Sequence, residues 1–171
     1  MKYEEIIINS LIKGGIDYIV HIPDKILLPI IQLAENRKSP NLLLVTREEE
    51  GIAICSGIYL GGHTPVMVMQ SSGIGNSITA ITSILQTHHI PLLIILSLRG
   101  SLFEYNPSDV PLGSSLHKIF DALSIPYFVP SSPDELKFVI EGSIPLCESS
   151  QGVVAIILND SKLRRYEDAT I

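Results

Sequence analysis

The chain has 171 residues, with 12 Lys+Arg against 18 Asp+Glu and a formal net charge of −6. That balance excludes an electrostatic grip on nucleic acid or on an anionic membrane surface, both of which need clustered cations. With 46% hydrophobic and 18% charged residues, the composition is that of a folding chain, and its length suits one domain over residues 1–171.

From Glu4 onward, Ile6, Ile7, Leu11 and Ile12 recur at helical spacing until Gly14 and Gly15 stop the helix. A short strand over residues 17–21 follows. Pro23 is expected to open a second helix carrying Ile26, Leu27, Ile30, Ile31 and Ala34, which gives way to a strand over 42–45. A helix over 48–60, a strand over 65–70, a helix from Ser71 or Ser72 to about Thr87 and a strand over 91–97 come next. A loop over 99–111, a helix to about Leu123, a strand over 127–129, a helix from Pro133 to about Leu146 and a strand over 153–158 complete the pattern.

Strands as solidly apolar as LLLV, VMVM, LLIIL and VVAIIL, alternating with helices, predict an open, mainly parallel α/β sheet with helices on both faces. Ligands of such sheets bind beyond the carboxyl ends of the strands, so the strand-to-helix turns are where chemistry is expected. Between Gly51 and Leu98 there is no Asp, Glu, Lys or Arg. Helices without a charged face are usually buried, which predicts cover by another chain; the alternative is a polar face of Ser, Thr, Gln, Asn and His.

Several features carry no chemistry. Cys55 and Cys147 are far apart with no CxxC, and Cys55 sits in an apolar run as a small buried side chain would. His88 and His89 are neighbours on a helix end and point differently, a poor metal pair, so no metal ligand is assigned to this chain. The opening MKYEEIIINS places acids where a secretory leader has cations, and the apolar stretch 91–96 is far below the ~20 residues of a membrane span. A cytoplasmic location is expected.

The turns hold the candidates. Arg47-Glu48-Glu49-Glu50-Gly51 begins a helix directly after a strand. Acids in a first turn are favoured by the helix dipole whatever else they do. Successive helical positions differ by ~100°, so one of the three carboxylates at most points toward the strand ends. Gln70 to Ser77 is a strand-to-helix turn with glycines at 73 and 75; an ordinary serine-capped turn explains it as well as a ligand site does, and the dinucleotide fingerprint is incomplete.

Taken together, Arg-Glu-Glu-Glu-Gly, the small-residue helix ending at Tyr59, Gln70-Ser71-Ser72-Gly73-Ile74-Gly75-Asn76-Ser77, Ile90-Pro91-Leu92-Leu93 and Ser97-Leu98-Arg99-Gly100 resemble the pyrimidine-binding domain of thiamine-diphosphate-dependent decarboxylases. The resemblance is strongest to sulfopyruvate decarboxylase α subunits and to the N-terminal half of phosphonopyruvate decarboxylases. It implies the cofactor thiamine diphosphate, with Glu49 as the catalytic glutamate that hydrogen-bonds the aminopyrimidine N1′ and so brings its 4′-group to the imino form that takes the thiazolium proton. An exposed glutamate is ionised near pH 7, so this role requires burial. The resemblance further places Pro23, Ser71, Ser72, Gly73 and Asn76 beside the cofactor and gives Gln70 and Arg99 to an anionic 2-oxo acid substrate. For Arg99 a surface position is the plainer reading; for Pro23 the first turn of a helix explains the residue equally well. Relatives often carry Gly where His21 stands.

The Gly-Asp-Gly motif that holds the diphosphate through Mg²⁺ in this family occurs nowhere in the sequence. A β subunit is therefore expected to carry that domain and the Mg²⁺, in a hetero-oligomer that decarboxylates sulfopyruvate to sulfoacetaldehyde, as in coenzyme M biosynthesis. A split phosphonopyruvate enzyme is the nearest alternative, and a noncatalytic module binding a small anion or a partner protein is the alternative from another class.

Overall fold

The structure, a computed structural model, describes residues 2–159. Met1 and residues 160–171, which the expectation of one domain includes, lie outside the described residues. The chain alternates α1 (Tyr3–Lys13), β1 (Tyr18–His21), α2 (Leu28–Arg37), β2 (Asn41–Leu44), α3 (Glu48–Leu60), β3 (Pro65–Gln70) and α4 (Gly73–Ala80). A π-helical turn (Ile81–Gln86) prolongs α4, and β4 (Leu92–Ser97), α5 (Val110–Ala122), β5 (Tyr127–Phe128), α6 (Pro133–Ser150) and β6 (Val153–Leu158) follow.

All the strand pairs are parallel, in the order β2-β1-β3-β4-β6-β5. Side-chain alternation divides the core between the faces. Ile19, Val66, Val68, Leu93 and Ile95 pack with α1, α2 and α6, whereas Val20, Met67, Met69, Ile94 and Leu96 pack with α3, α4 and α5. From β1 the chain moves outward to β2, then returns past β1 to β3 and continues the other way. The strand order thus reverses between β1 and β3, and the helices that leave these strands diverge to opposite faces. A crevice beyond the carboxyl ends is the consequence.

Two local departures from the sequence expectation have visible causes. Pro23 does not open α2: Asp24 Oδ1 accepts from the Ile26 amide at 2.8 Å, and this Asx turn delays the helix to Leu28, where Pro29 takes the first-turn position. The helix after β3 widens into a π turn at residue 81. There Thr82 and Ser83 donate their hydroxyls back to the Ile78 and Thr79 carbonyls, competing with the regular ladder.

The uncharged interval is partly explained within the chain. Ile52 and Cys55 of α3 and Ile74, Ile81 and Leu85 of the following helix are buried in one core. What faces outward is small or hydroxylic, including Ala53, Gly57, Asn76, Thr79 and Ser83, with Leu60 a large exception. This face mixes small apolar and polar side chains, with Ile54, Ile58 and Tyr59 partly buried along it.

The loop between β4 and α5 is folded back at Gly100, whose φ of +71° and whose added Cβ, 2.4 Å from the Asp109 carbonyl oxygen, admit no side chain without movement of backbone. Gly100→Ala should therefore lower stability by about 1–3 kcal/mol, read as a lower urea midpoint with an unchanged slope.

Candidate active site at the strand carboxyl ends

Three adjacent acids at the start of α3 do three different things. Glu50 turns back, its Oε2 accepting from the Thr46 amide at 2.9 Å and the Thr46 hydroxyl at 2.7 Å, and so caps the helix; these bonds hold its carboxyl below the ordinary range. Glu48 lies against the start of α4, where a Cβ on Gly73 would come within 2.2 Å of its Cγ. Glycine at 73 is what lets the two helix starts approach. Glu49 Oε1 pairs with Arg47 Nε at 2.7 Å, and its Oε2 is shut off from water with no hydrogen-bond partner. The side chain as a whole is 32% exposed. The enclosure expected for Glu49 is therefore incomplete within this chain.

The turn after β3 supplies the facing wall. Ser71 is fully buried and structural: its amide donates to the Ser97 carbonyl and its Oγ accepts from the Arg99 amide, both at 2.9 Å, tying β3 to β4. Ser72 stands at the N-cap of α4 but its hydroxyl does not cap; the Oγ is buried and unpartnered. The Ile74 and Gly75 amides bond to the carbonyls of Ser71 and Ser72, so they are not open to an anion. Asn76 is exposed one turn further on, and Pro23 is exposed on the loop after β1.

Arg99 is not a free counter-ion. Its Nε and Nη2 donate to both oxygens of Glu104 at 2.9 and 3.0 Å, Nη2 also lies 2.9 Å from Asp109 Oδ2, and Nη1 reaches Asp24 Oδ2 at 3.4 Å and Gln70 Oε1 at 3.2 Å. The guanidinium is raised further in pKa, chiefly by the Glu104 hydrogen bonds, and the same bonds hold the Glu104 carboxyl well below the usual carboxylate range. Since arginine offers only donors, Gln70 must turn Oε1 toward it, which leaves the Gln70 Nε2 protons facing away.

His21, at the end of β1, is a residue that sequence reasoning left without a role. It is buried, its Nδ1 lacks a partner, and burial pushes its pKa below the ordinary 6.5 against the opposing field of Glu35. His21, Gln70 and Ser97 share the parity of Ile19, Val68 and Ile95, so they leave the sheet on the α2 side, whereas α3 and α4 bring Glu49 and Ser72 from the other side.

Among the described residues, no group of three His, Cys, Asp or Glu side chains is arranged to hold a metal ion, and no helix is long and apolar enough to cross a membrane. Both cysteines are buried and free, and burial pushes Cys147 up to about 12. The orphaned atoms are the better guide. Glu49 Oε2 and Ser72 Oγ, a bare acceptor and a bare hydroxyl on two helix starts held together by Gly73, fit a flat heterocycle bearing ring nitrogens and an amino group.

Residues 1–122 match the family described as thiamine pyrophosphate enzyme, N-terminal TPP binding domain. Sulfopyruvate decarboxylase subunit alpha of Methanococcus maripaludis is 37% identical over 159 residues, covering 93% of this chain and 95% of that protein. The Methanocaldococcus jannaschii subunit of the same name is 42% identical over 129 residues, 75% of this chain and 76% of its own length. Similarity to phosphonopyruvate decarboxylase is weaker, 28% over 138 residues for that of Streptomyces hygroscopicus. Among solved structures, a 2-oxoglutarate:ferredoxin oxidoreductase from Magnetococcus marinus superposes with a TM-score of 0.67 at 15% identity, over 95% of this chain and 29% of that one. At that identity the likeness concerns the fold.

The Arg99–Glu104 pair makes stability depend on pH. Because the Glu104 carboxyl titrates lower when folded, its contribution is complete above its ordinary value of about 4.5 and declines as pH falls below it toward the folded value. The urea midpoint of the wild type should therefore exceed that of Glu104→Gln near pH 6, and the gap should narrow steadily on acidification below about pH 4.5.

Proposed function

The chain belongs to the thiamine pyrophosphate enzymes, by the N-terminal TPP-binding domain and by its kinship with sulfopyruvate decarboxylase α subunits, and on that footing we propose that it is the aminopyrimidine-holding half of a sulfopyruvate decarboxylase. With a β subunit that carries the diphosphate and Mg²⁺, it converts 3-sulfopyruvate to sulfoacetaldehyde and CO₂. Coenzyme M biosynthesis is the setting in which that product is used. The single observation that carries this reading is the buried, unpartnered Glu49 Oε2 at the start of α3, beyond the carboxyl end of β2.

Thiamine diphosphate, when bound, supplies the nucleophilic carbon and the electron sink that 2-oxo acid decarboxylation requires. Glu49 holds a proton at the aminopyrimidine N1′. The Arg47 ion pair on its other oxygen is two-thirds in solvent on the arginine side, so breaking it costs little when a second subunit closes over the site. Ser72, Gly73 and Asn76 form the cofactor-side wall, Gly73 by permitting close approach and Ser72 by offering a hydroxyl with no competing bond. Pro23 borders the same crevice from the β1 side. Ser71, assigned to the cofactor from sequence, supports the wall from behind instead, since Arg99 already bonds its oxygen.

Substrate orientation falls to Gln70. Its Nε2 is turned outward by the Arg99 contact and can donate to a carboxylate or carbonyl oxygen. Arg99, surrounded by Asp24, Glu104 and Asp109, serves the wall and not the substrate. The stronger kinship with sulfopyruvate decarboxylases favours a sulfonate over a phosphonate.

The test mixes the purified chain with its β subunit, thiamine diphosphate and Mg²⁺, and offers sulfopyruvate and phosphonopyruvate in parallel. Turnover of sulfopyruvate by the mixture and by neither subunit alone is expected; turnover by this chain alone refutes the half-site reading. Glu49→Gln should lower kcat at least about 100-fold, the scale of a lost proton-transfer group, with an unchanged far-ultraviolet spectrum, whereas Glu50→Gln should lower the urea midpoint slightly through the weakened cap and leave kcat near wild type.

A further inference from the structure

The loop that Arg99 anchors has a construction that catalysis by this chain does not explain. Leu102, Phe103 and Tyr105 are 78%, 76% and 91% exposed. Large apolar side chains gathered this way on a water-facing loop mark a surface made to be covered. Yet the loop is held by fixed bonds on all sides. Between the three, Glu104 turns inward and accepts from Arg99 Nε and Nη2, from the Gly100 amide at 3.0 Å and from the Asn106 amide at 2.9 Å. Asn106 Nδ2 in turn donates to Asp109 Oδ2 at 2.9 Å, and the Ser108 amide to Asn106 Oδ1 at 3.2 Å. Phe103 is set at φ +68°, in the left-handed region that a phenylalanine rarely occupies. The backbone of the segment is thus ordered within the chain before any partner arrives, which lowers the cost of association through few residues.

Position and charge identify the occupant. The loop's base bonds Gln70 through Arg99, and just beyond it Leu112 packs where a Cβ on Gly75 would lie, 3.3 Å away. It therefore stands on the rim of the crevice that contains Glu49 and Ser72. Around its base Asp24, Glu104 and Asp109 share the single cation Arg99, a formal 1 − 3 = −2, and all three carboxylates are nearly withdrawn from water. A surface placed against this rim gains by bringing cations beside an apolar depression. We propose that residues 100–109 are the docking finger by which this chain grips its complementary, diphosphate-binding subunit, with Leu102, Phe103 and Tyr105 seated in an apolar depression edged by lysine or arginine. The inference rests on the half-site reading above, and names the surface that reading leaves open.

The test is association of the purified chain with the β subunit, followed by sedimentation velocity and calorimetric titration. Phe103→Asn, chosen because asparagine accepts a positive φ, combined with Tyr105→Ser should weaken association at least about 30-fold, with the urea midpoint of the free chain not lowered. Phe138→Ser, at a side chain 79% exposed on α6, should leave association unaltered. Raising salt from about 0.05 to 0.5 M should weaken the wild-type complex, as expected of an attraction between opposite charges. Equal affinity of the double variant and wild type overturns the inference, as does an effect of Phe138→Ser equal to that of the double variant, or self-association through the finger in place of the β subunit. If the mixture decarboxylates sulfopyruvate while the double variant binds normally, the finger alone is wrong; if wild type and β subunit do not associate, the half-site reading falls with it.

Discussion

The reversal of strand order between β1 and β3 is the constraint on which the remaining structure depends. Because all the strands run the same way, each one ends in a turn at the same edge, and each turn must feed a helix on one face or the other. β1 sends its chain to α2 on one face, while its neighbours β2 and β3 send theirs to α3 and α4 on the other. The gap this opens is where α3 and α4 can both present their first residues. The unbonded atoms of Glu49 and Ser72 lie at those two starts, and Gly73 allows the approach because nothing larger fits against Glu48.

Arg99 does at this edge what a covalent link does elsewhere. Its backbone bonds Ser71, and its guanidinium spans the loops after β1, β3 and β4 through Asp24, Gln70 and Glu104. A single planar group with several fixed donors can hold that many acceptors in place at once, which an ammonium cannot. Its surplus of carboxylates then sets the field of the rim. The same residue thereby fixes the orientation of Gln70.

Much of the architecture could be read from the amino acids alone, because continuous apolar strands between helical patterns leave few folds open. The strands over 65–70 and 153–158 and the helix from Glu48 to Leu60 fall where their patterns place them. The start of α2 was hidden because Asp24 bonds the backbone of Ile26, a choice that helical periodicity does not register. The π turn at residue 81 escaped for a related reason, since its cause is hydroxyl back-bonding by Thr82 and Ser83. Within the site, the family resemblance singles out Glu49 among three adjacent acids, and the fold gives each of the three different surroundings. Arg99 was misleading: a lone cation after a long uncharged stretch invites an anion, and the acids that claim it come from residues 24, 104 and 109, whose convergence only the fold reveals.

The incomplete enclosure of Glu49 is itself informative about a divided active site. A carboxyl group fully buried within one subunit would need a compensating partner there, or would burden the fold with an unpaired charge before assembly. Here one oxygen is shut away and the other rests on a mostly solvated Arg47. The chain by itself thus carries the Glu49 side chain at small cost to stability, its ion pair open to solvent on the arginine side. On the half-site reading proposed above, a second subunit completes the enclosure of Glu49.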